Sequence, residues 1–159
     1  SIQREDYQSM VEQLVYRLST GLQLIMLGSW NHHGGSNNRF LPEALFMRVL
    51  AFEDHYDIEA LLTAGGVNVN KLEIQQLWDS SDALNRIQQF APDVLLLDHY
   101  MPPKTGFQVL ESLFASDVHR PQIVVAMSSE SGKNDAMVDL GADVGIVKFN
   151  LAELMIWPR

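Results

Sequence analysis

Cysteine is absent from all 159 residues, which removes disulfide, thiol and Cys-based zinc chemistry. Basic residues are scarce, 11 Lys and Arg against 20 Asp and Glu, leaving a net charge of -9. Phosphate backbones demand basic patches, so nucleic acid is not expected as a direct partner. No apolar run reaches the ~20 residues that would span a bilayer, and no secretory apolar region with a cleavage site is evident. A soluble, cytoplasmic protein with no membrane partner is the expectation. Because the chain starts at Ser1, it is expected to be a processed product or an excised piece.

What is present is a 47% hydrophobic chain, enough for one globular domain plus an appendage. From Arg4 to about Leu27 the apolar positions Tyr7, Met10, Val11, Leu14, Val15, Leu18, Leu22 and Ile25 recur at mostly three- and four-residue steps, one stripe of an amphipathic helix. The stretch from Asn31 to Asn38 is polar and glycine-rich, and Pro42 closes it. The expected organisation is an N-terminal helix over 1–30, a linker over 31–45 and a domain over 46–159.

From Phe46 onward, apolar runs alternate with helical patterns, the signature of a parallel sheet with crossover helices. Helices are expected over Asp57 to Ala64, Ser81 to Phe90, Gly106 to Ser116 and, shorter, Lys133 to Leu140, with a last one over Leu151 to Trp157. The polar run Leu72 to Trp78 suits a sheet edge. Phe46 to Phe52 stops at Glu53-Asp54, Val94 to Leu97 at Asp98, Ile123 to Met127 at Ser128, and Val144 to Val147 at Lys148. Ligands of open parallel sheets bind beyond the carboxyl ends of the strands, so Asp98, planted there before Met101-Pro102-Pro103, reads as chemical. Three carboxylates held close repel unless a hard divalent cation such as Mg2+ shares their oxygens. A hydroxyl and an ammonium aimed at the same spot suit the oxygens of a phosphoryl group.

With Glu53-Asp54, Asp98 followed by Met101-Pro102 and Gly106, Ser128-Ser129, Gly141-Ala142-Asp143 and Lys148 in this order, the chain from about Phe46 resembles the CheY-like receiver domains of two-component response regulators. The resemblance implies a doubly wound α/β fold, a flavodoxin-like five-stranded parallel sheet of order 2-1-3-4-5, here with an extra N-terminal amphipathic helix. It implies that Asp98 is the phosphoacceptor. Glu53, Asp54, Asp98 and the backbone carbonyl of Tyr100 would hold Mg2+, Ser128 would hydrogen-bond the phosphoryl group, and Lys148 would pair with Asp98 and then with a phosphate oxygen. The implied partners are a histidine kinase or phosphotransfer protein and a downstream protein or output domain. The implied chemistry is a receiver's own phosphotransfer and dephosphorylation, not that of an enzyme acting on other substrates.

Two departures stand out. Phe149 follows Lys148 where most receivers have proline, and Gly145 stands where most have an aromatic residue that swings inward on phosphorylation. They favour an alternative, a pseudo-receiver that binds proteins without phosphorylation, whereas the complete acid set favours the phosphoacceptor. A flavodoxin-like enzyme is a weaker reading, because no G-x-G-x-x-G loop follows the first strand. Taken singly, Asp98 could be a turn cap, Ser128-Ser129 turn hydroxyls and Lys148 a snorkelling lysine. His32, His33, His55, His99 and His119 lack paired ligand spacing and read as linker or surface residues, and Trp30, Trp78 and Trp157 as packing residues. A short final helix would leave sheet surface bare. The stripe from Tyr7 to Ile25 is therefore expected to pack near Leu151, Leu154 and Ile156, in cis or from a second subunit, or else to form a homodimer through a coiled coil.

Overall fold

Alternating apolar strands and helices fold here into a five-stranded, wholly parallel sheet of order β2-β1-β3-β4-β5. The strands are β1 (Met47–Phe52), β2 (Leu72–Leu77), β3 (Val94–Leu97), β4 (Ile123–Ala126) and β5 (Val144–Gly145). The helices are α1 (Ile58–Ala64), α2 (Ala83–Phe90), α3 (Gly106–Phe114) and α4 (Ser131–Leu140). The structure is a computed structural model and describes residues 46–159 together with Ser9, Glu12 and Tyr16. Those three are helical and exposed; the rest of the expected N-terminal helix and the linker, with Trp30, lie outside the described residues.

The three inner strands are apolar at every position or nearly so because both faces of the sheet are covered. Val49 and Ala51 of β1, Val94 and Leu96 of β3, and Ile123 and Val125 of β4 join one cluster with Ile58 and Leu62 of α1. Their neighbours Leu50, Phe52, Leu95, Leu97, Val124 and Ala126 point the other way, onto α2, α3 and α4 through Ile87, Val109, Leu110, Leu113 and Met137. The period-two alternation of strands thus serves two cores from one run. Caps set the helix starts: the Asp57 carboxylate accepts from Ala60 N, and Thr105 and Gln108 form a reciprocal capping box at α3.

Four expectations are corrected. Residues Leu151 to Trp157 are not an α-helix: Lys148–Glu153 is a 3-10 turn, Leu154 is extended, and the chain then turns into Pro158. The apolar positions 151, 154, 156 and 157 make no 3.6-residue stripe, and the residue before a proline avoids the helical region. All four nonetheless bury against the α1 face of the sheet. The chain's own C-terminal segment thus contributes to the face against which the Tyr7 to Ile25 stripe was expected to pack, and that stripe lies outside the described residues. Helix α4 starts at Ser131, two residues earlier than expected, and at 10 residues is the longest described helix. Helix α2 starts at Ala83 because Asp82 takes a left-handed backbone, φ 54°. Trp78, expected to pack, lies one residue past β2 and is 55% exposed.

Candidate functional site

Ladder bonds continue one residue past the ends of β1, β3, β4 and β5 and so fix where each following side chain emerges. Glu53 N donates to Leu77 O, Asp98 N to Phe52 O, Met127 N to Leu97 O and Ile146 N to Ala126 O, all within 3.1 Å. Glu53, Asp98, Ser128 and Lys148 are all buried there and Asp54 half-buried, an unusual density of polar groups for an interior.

Glu53, Asp54 and Asp98 each offer a carboxylate oxygen within 4.8 Å of the others. The ammonium of Lys148 lies 2.6 Å from Glu53 Oε2 and 3.2 Å from Asp98 Oδ2. The Glu53 contact is a close ion pair between two buried groups. Its other oxygen, Oε1, accepts from His55 N at 2.8 Å and Tyr56 N at 3.1 Å, so the side chain is held at both ends. Asp98 Oδ1 is buried with no hydrogen-bond partner. Burial pushes the Asp98 carboxyl above its ordinary range, Lys148 pulls it back and Glu53 adds to the rise. Burial works against the Lys148 ammonium, but contact with Glu53 and the charge of Asp98 outweigh it and hold its pKa above the ordinary lysine value.

The set fits a hard cation. Three carboxylates against one ammonium leave two negative charges, the charge of one divalent ion, and Asp98 Oδ1 is an orphaned oxygen of the kind such an ion takes. Tyr100, two residues beyond Asp98, sits in a tight turn in which His99 O accepts from Met101 N and Gly106 N. The turn admits only glycine at 106, where a Cβ would meet Asp98 O at 2.1 Å. The exposed Tyr100 hydroxyl donates to Glu130 Oε1 at 2.9 Å, which joins the loops after β3 and β4, and this bond also raises the phenol's pKa. Tyr56 lies under the Lys148 ammonium, 5.3 Å from ring centroid to Nζ, and meets Phe149 edge-on at 5.2 Å. Phe149, unlike a proline, thus brings an aromatic ring to the rim. His99 borders the site, its pKa lowered by burial and by the charge of Lys133. His55 and His119 belong to no metal-ligand cluster among the described residues.

Two positioning side chains escaped the sequence reading. Gln76, expected only to suit a sheet edge, donates from Nε2 to Glu53 O at 2.9 Å and Tyr56 O at 2.8 Å and accepts at Oε1 from Ile58 N at 2.9 Å. Asn134, inside α4, is buried and accepts from Ser128 N while donating to Ser128 O and Ile146 O. The alternation of β2 left Gln76 looking like a solvated side chain, and no pattern marks an Asn inside a helix as a tie between strands.

The family model of the response regulator receiver domain matches residues 49–156. The chain belongs to that family. The receiver is 34% identical over 109 residues to the transcriptional regulatory protein PrrA of Mycobacterium tuberculosis, a match covering 68% of this chain and 46% of that protein. It is 29% identical over 114 residues to the response regulator MprA of Mycobacterium avium, covering 71% of this chain and 50% of that one. The chain thus spans about half the length of the curated relatives it matches. Among solved structures, the phosphorylated cyanobacterial phytochrome response regulator RcpA shares the receiver's fold with TM-score 0.56 at 21% identity, over 68% of this chain and 89% of that one. The signal receiver domain of a DNA-binding response regulator from Colwellia psychrerythraea matches with TM-score 0.54 at 25% identity, over 64% and 85%. Among the described residues, no helix is long and apolar enough to cross a membrane.

Proposed function

We propose that this receiver takes a phosphoryl group onto Asp98 from a histidine kinase or phosphotransfer protein, with Mg2+ bound by Glu53, Asp54, Asp98 and the Tyr100 carbonyl, and thereby changes its contacts with a downstream protein or output domain. The observation that carries the reading is the orphaned, buried Asp98 Oδ1 between two further carboxylates and a lysine. The carboxylate oxygen attacks phosphorus as the bond to the donor breaks, which yields an aspartyl phosphate and the free donor. Mg2+ supplies neutralisation of the charge on the moving phosphoryl group. Lys148, already 3.2 Å from Asp98 Oδ2, is placed to follow that charge, and the Ser128 hydroxyl can donate to a phosphoryl oxygen.

Incubation with Mg2+ and a small acyl phosphate, followed by intact mass, tests this: one added phosphoryl group, mapped to Asp98, is the expected result. Unmodified protein, with Mg2+ bound, would favour the pseudo-receiver. The Gln76 bonds support a prediction that needs no phosphodonor. Gln76→Leu frees the loop that carries Glu53 and Asp54 and is expected to weaken Mg2+ binding about tenfold by calorimetric titration, in line with other residues that orient metal ligands. An unchanged affinity would show that the loop stands without it.

Lifetime is a separate matter, because self-hydrolysis requires a water in line with the leaving carboxylate. The Tyr100–Glu130 hydrogen bond holds a bulky ring at the rim of the site. Tyr100→Asn is expected to shorten the aspartyl-phosphate lifetime severalfold in a decay assay; an equal or longer lifetime would show that the ring excludes no attacking water.

A further inference from the structure

Asn134 is the fourth residue of α4, inside a helix where Asn is a poor former, and is 2% exposed, so its side chain is held there by what it bonds. Its Oδ1 accepts from Ser128 N at 2.7 Å, and its Nδ2 donates at 2.9 Å both to Ser128 O and to Ile146 O. Both backbone groups of Ser128 are therefore clamped by one amide, and the same amide reaches the residue two before Lys148. Gly145 makes this possible. A Cβ there would lie 3.0 Å from Asn134 Cβ and 3.2 Å from Val138 Cγ2, so a larger side chain at 145 would contest the space that Asn134 fills.

We infer that Asn134 is a positioning residue for phosphoryl transfer: it fixes the backbone of Ser128 against β5 and so aims the Ser128 hydroxyl at the phosphoryl group that Asp98 receives. This role rests on the phosphoacceptor reading above. Without the tie, Ser128 itself retains only the bond its Oγ accepts from Glu130 N at 3.3 Å, and both of its backbone groups lose their partners. Asn134 bonds none of Glu53, Asp54, Asp98 and Tyr100, so the cation's affinity is not expected to depend on this clamp.

The experiment is a double-mutant cycle on the rate of phosphoryl gain from a small acyl phosphate at saturating Mg2+, with Mg2+ affinity measured alongside. Asn134→Ala is expected to slow the gain about tenfold when Ser128 is present and by less than twofold in a Ser128→Ala background, with Mg2+ affinity unchanged within twofold. Asn134→Asp keeps the acceptor for Ser128 N and loses both donors. It is expected to fall between wild type and Asn134→Ala, and it serves in their place if Asn134→Ala does not fold. Equal slowing in both backgrounds, or parallel loss of Mg2+ affinity, would reduce Asn134 to a structural role and overturn the inference. A wild-type protein that binds Mg2+ but gains no phosphoryl group would overturn the phosphoacceptor reading and this role with it.

Discussion

Asp98→Asn is expected to gain no phosphoryl group under conditions that fully modify the wild type, and to melt a few degrees higher than the wild type at neutral pH without divalent cations. The first half follows from the proposed chemistry, since an amide cannot form the aspartyl phosphate. The second follows from the cost of the carboxylate. Asp98 is buried, its Oδ1 is unpartnered, and burial raises its pKa above the ordinary value of 3.8 despite Lys148. A folded-state pKa above the unfolded one means that the folded protein holds the proton more tightly, so ionised Asp98 opposes folding. That cost is absent below about pH 4 and grows as pH rises through the raised folded value. The advantage of the Asn variant should therefore vanish in acid and grow as pH rises above the ordinary carboxylate value. Lys148 keeps Glu53 as its partner at 2.6 Å, so the substitution strands no cation. Mg2+ should raise the melting temperature of the wild type, by binding the folded state alone, and that of the variant much less. A variant that gains the same adduct at the same rate would move the phosphoacceptor elsewhere, and one that melts lower at pH 7 would refute the burial cost.

The largest expected loss of stability lies far from any chemistry. Trp157→Ala should cost about 3–5 kcal/mol in urea unfolding, the range for truncating a large buried aromatic. Trp157 is 4% exposed and packs in the cluster that holds Leu151, Leu154, Ile156 and the α1 face of the sheet. Its Nε1 donates to Leu151 O at 2.8 Å, which closes the turn on itself. Around it the chain end is stitched to the rest of the fold. Asn68 N donates to Pro158 O at 2.9 Å, and Arg159 donates to Gly65 O and Ala152 O at 2.8 and 2.6 Å. Gly65 allows the approach, since a Cβ there would meet Ala152 Cβ at 2.1 Å. A loss below about 1 kcal/mol, the size of an ordinary substitution, would mean that the segment is an appendage and not the missing cover of the sheet.

The parts of this molecule legible from sequence are those set by repetition and punctuation. Apolar runs broken by Glu53, Asp98 and Ser128 located three strand ends, whereas the run to Lys148 overshot β5, which stops at Gly145; Asp57 and Gly65 bounded α1 as local capping rules require. What stayed hidden depended on contacts between distant segments. Nothing local tells that Leu151, Leu154, Ile156 and Trp157 cover a sheet face without a helix, because their spacing fits no regular period. Gln76 and Asn134 read as edge and helix residues because their partners lie 18 to 23 and 6 to 12 positions away.

The two rims of the sheet bear on how this receiver avoids sticking to other chains. A sheet edge is a row of unpaired amides and carbonyls on which a foreign strand can nucleate. At one rim, β5 is only two residues long and the chain passes through Ile146 and Val147 into the 3-10 segment, so the template is short. At the other, β2 is six residues long, but it carries Glu73, paired with Arg48 at 3.1 Å, and the glutamines Gln75 and Gln76. A flat apolar ribbon is thus missing on both sides, and the protection against cross-β addition comes from shortness at one border and polarity at the other.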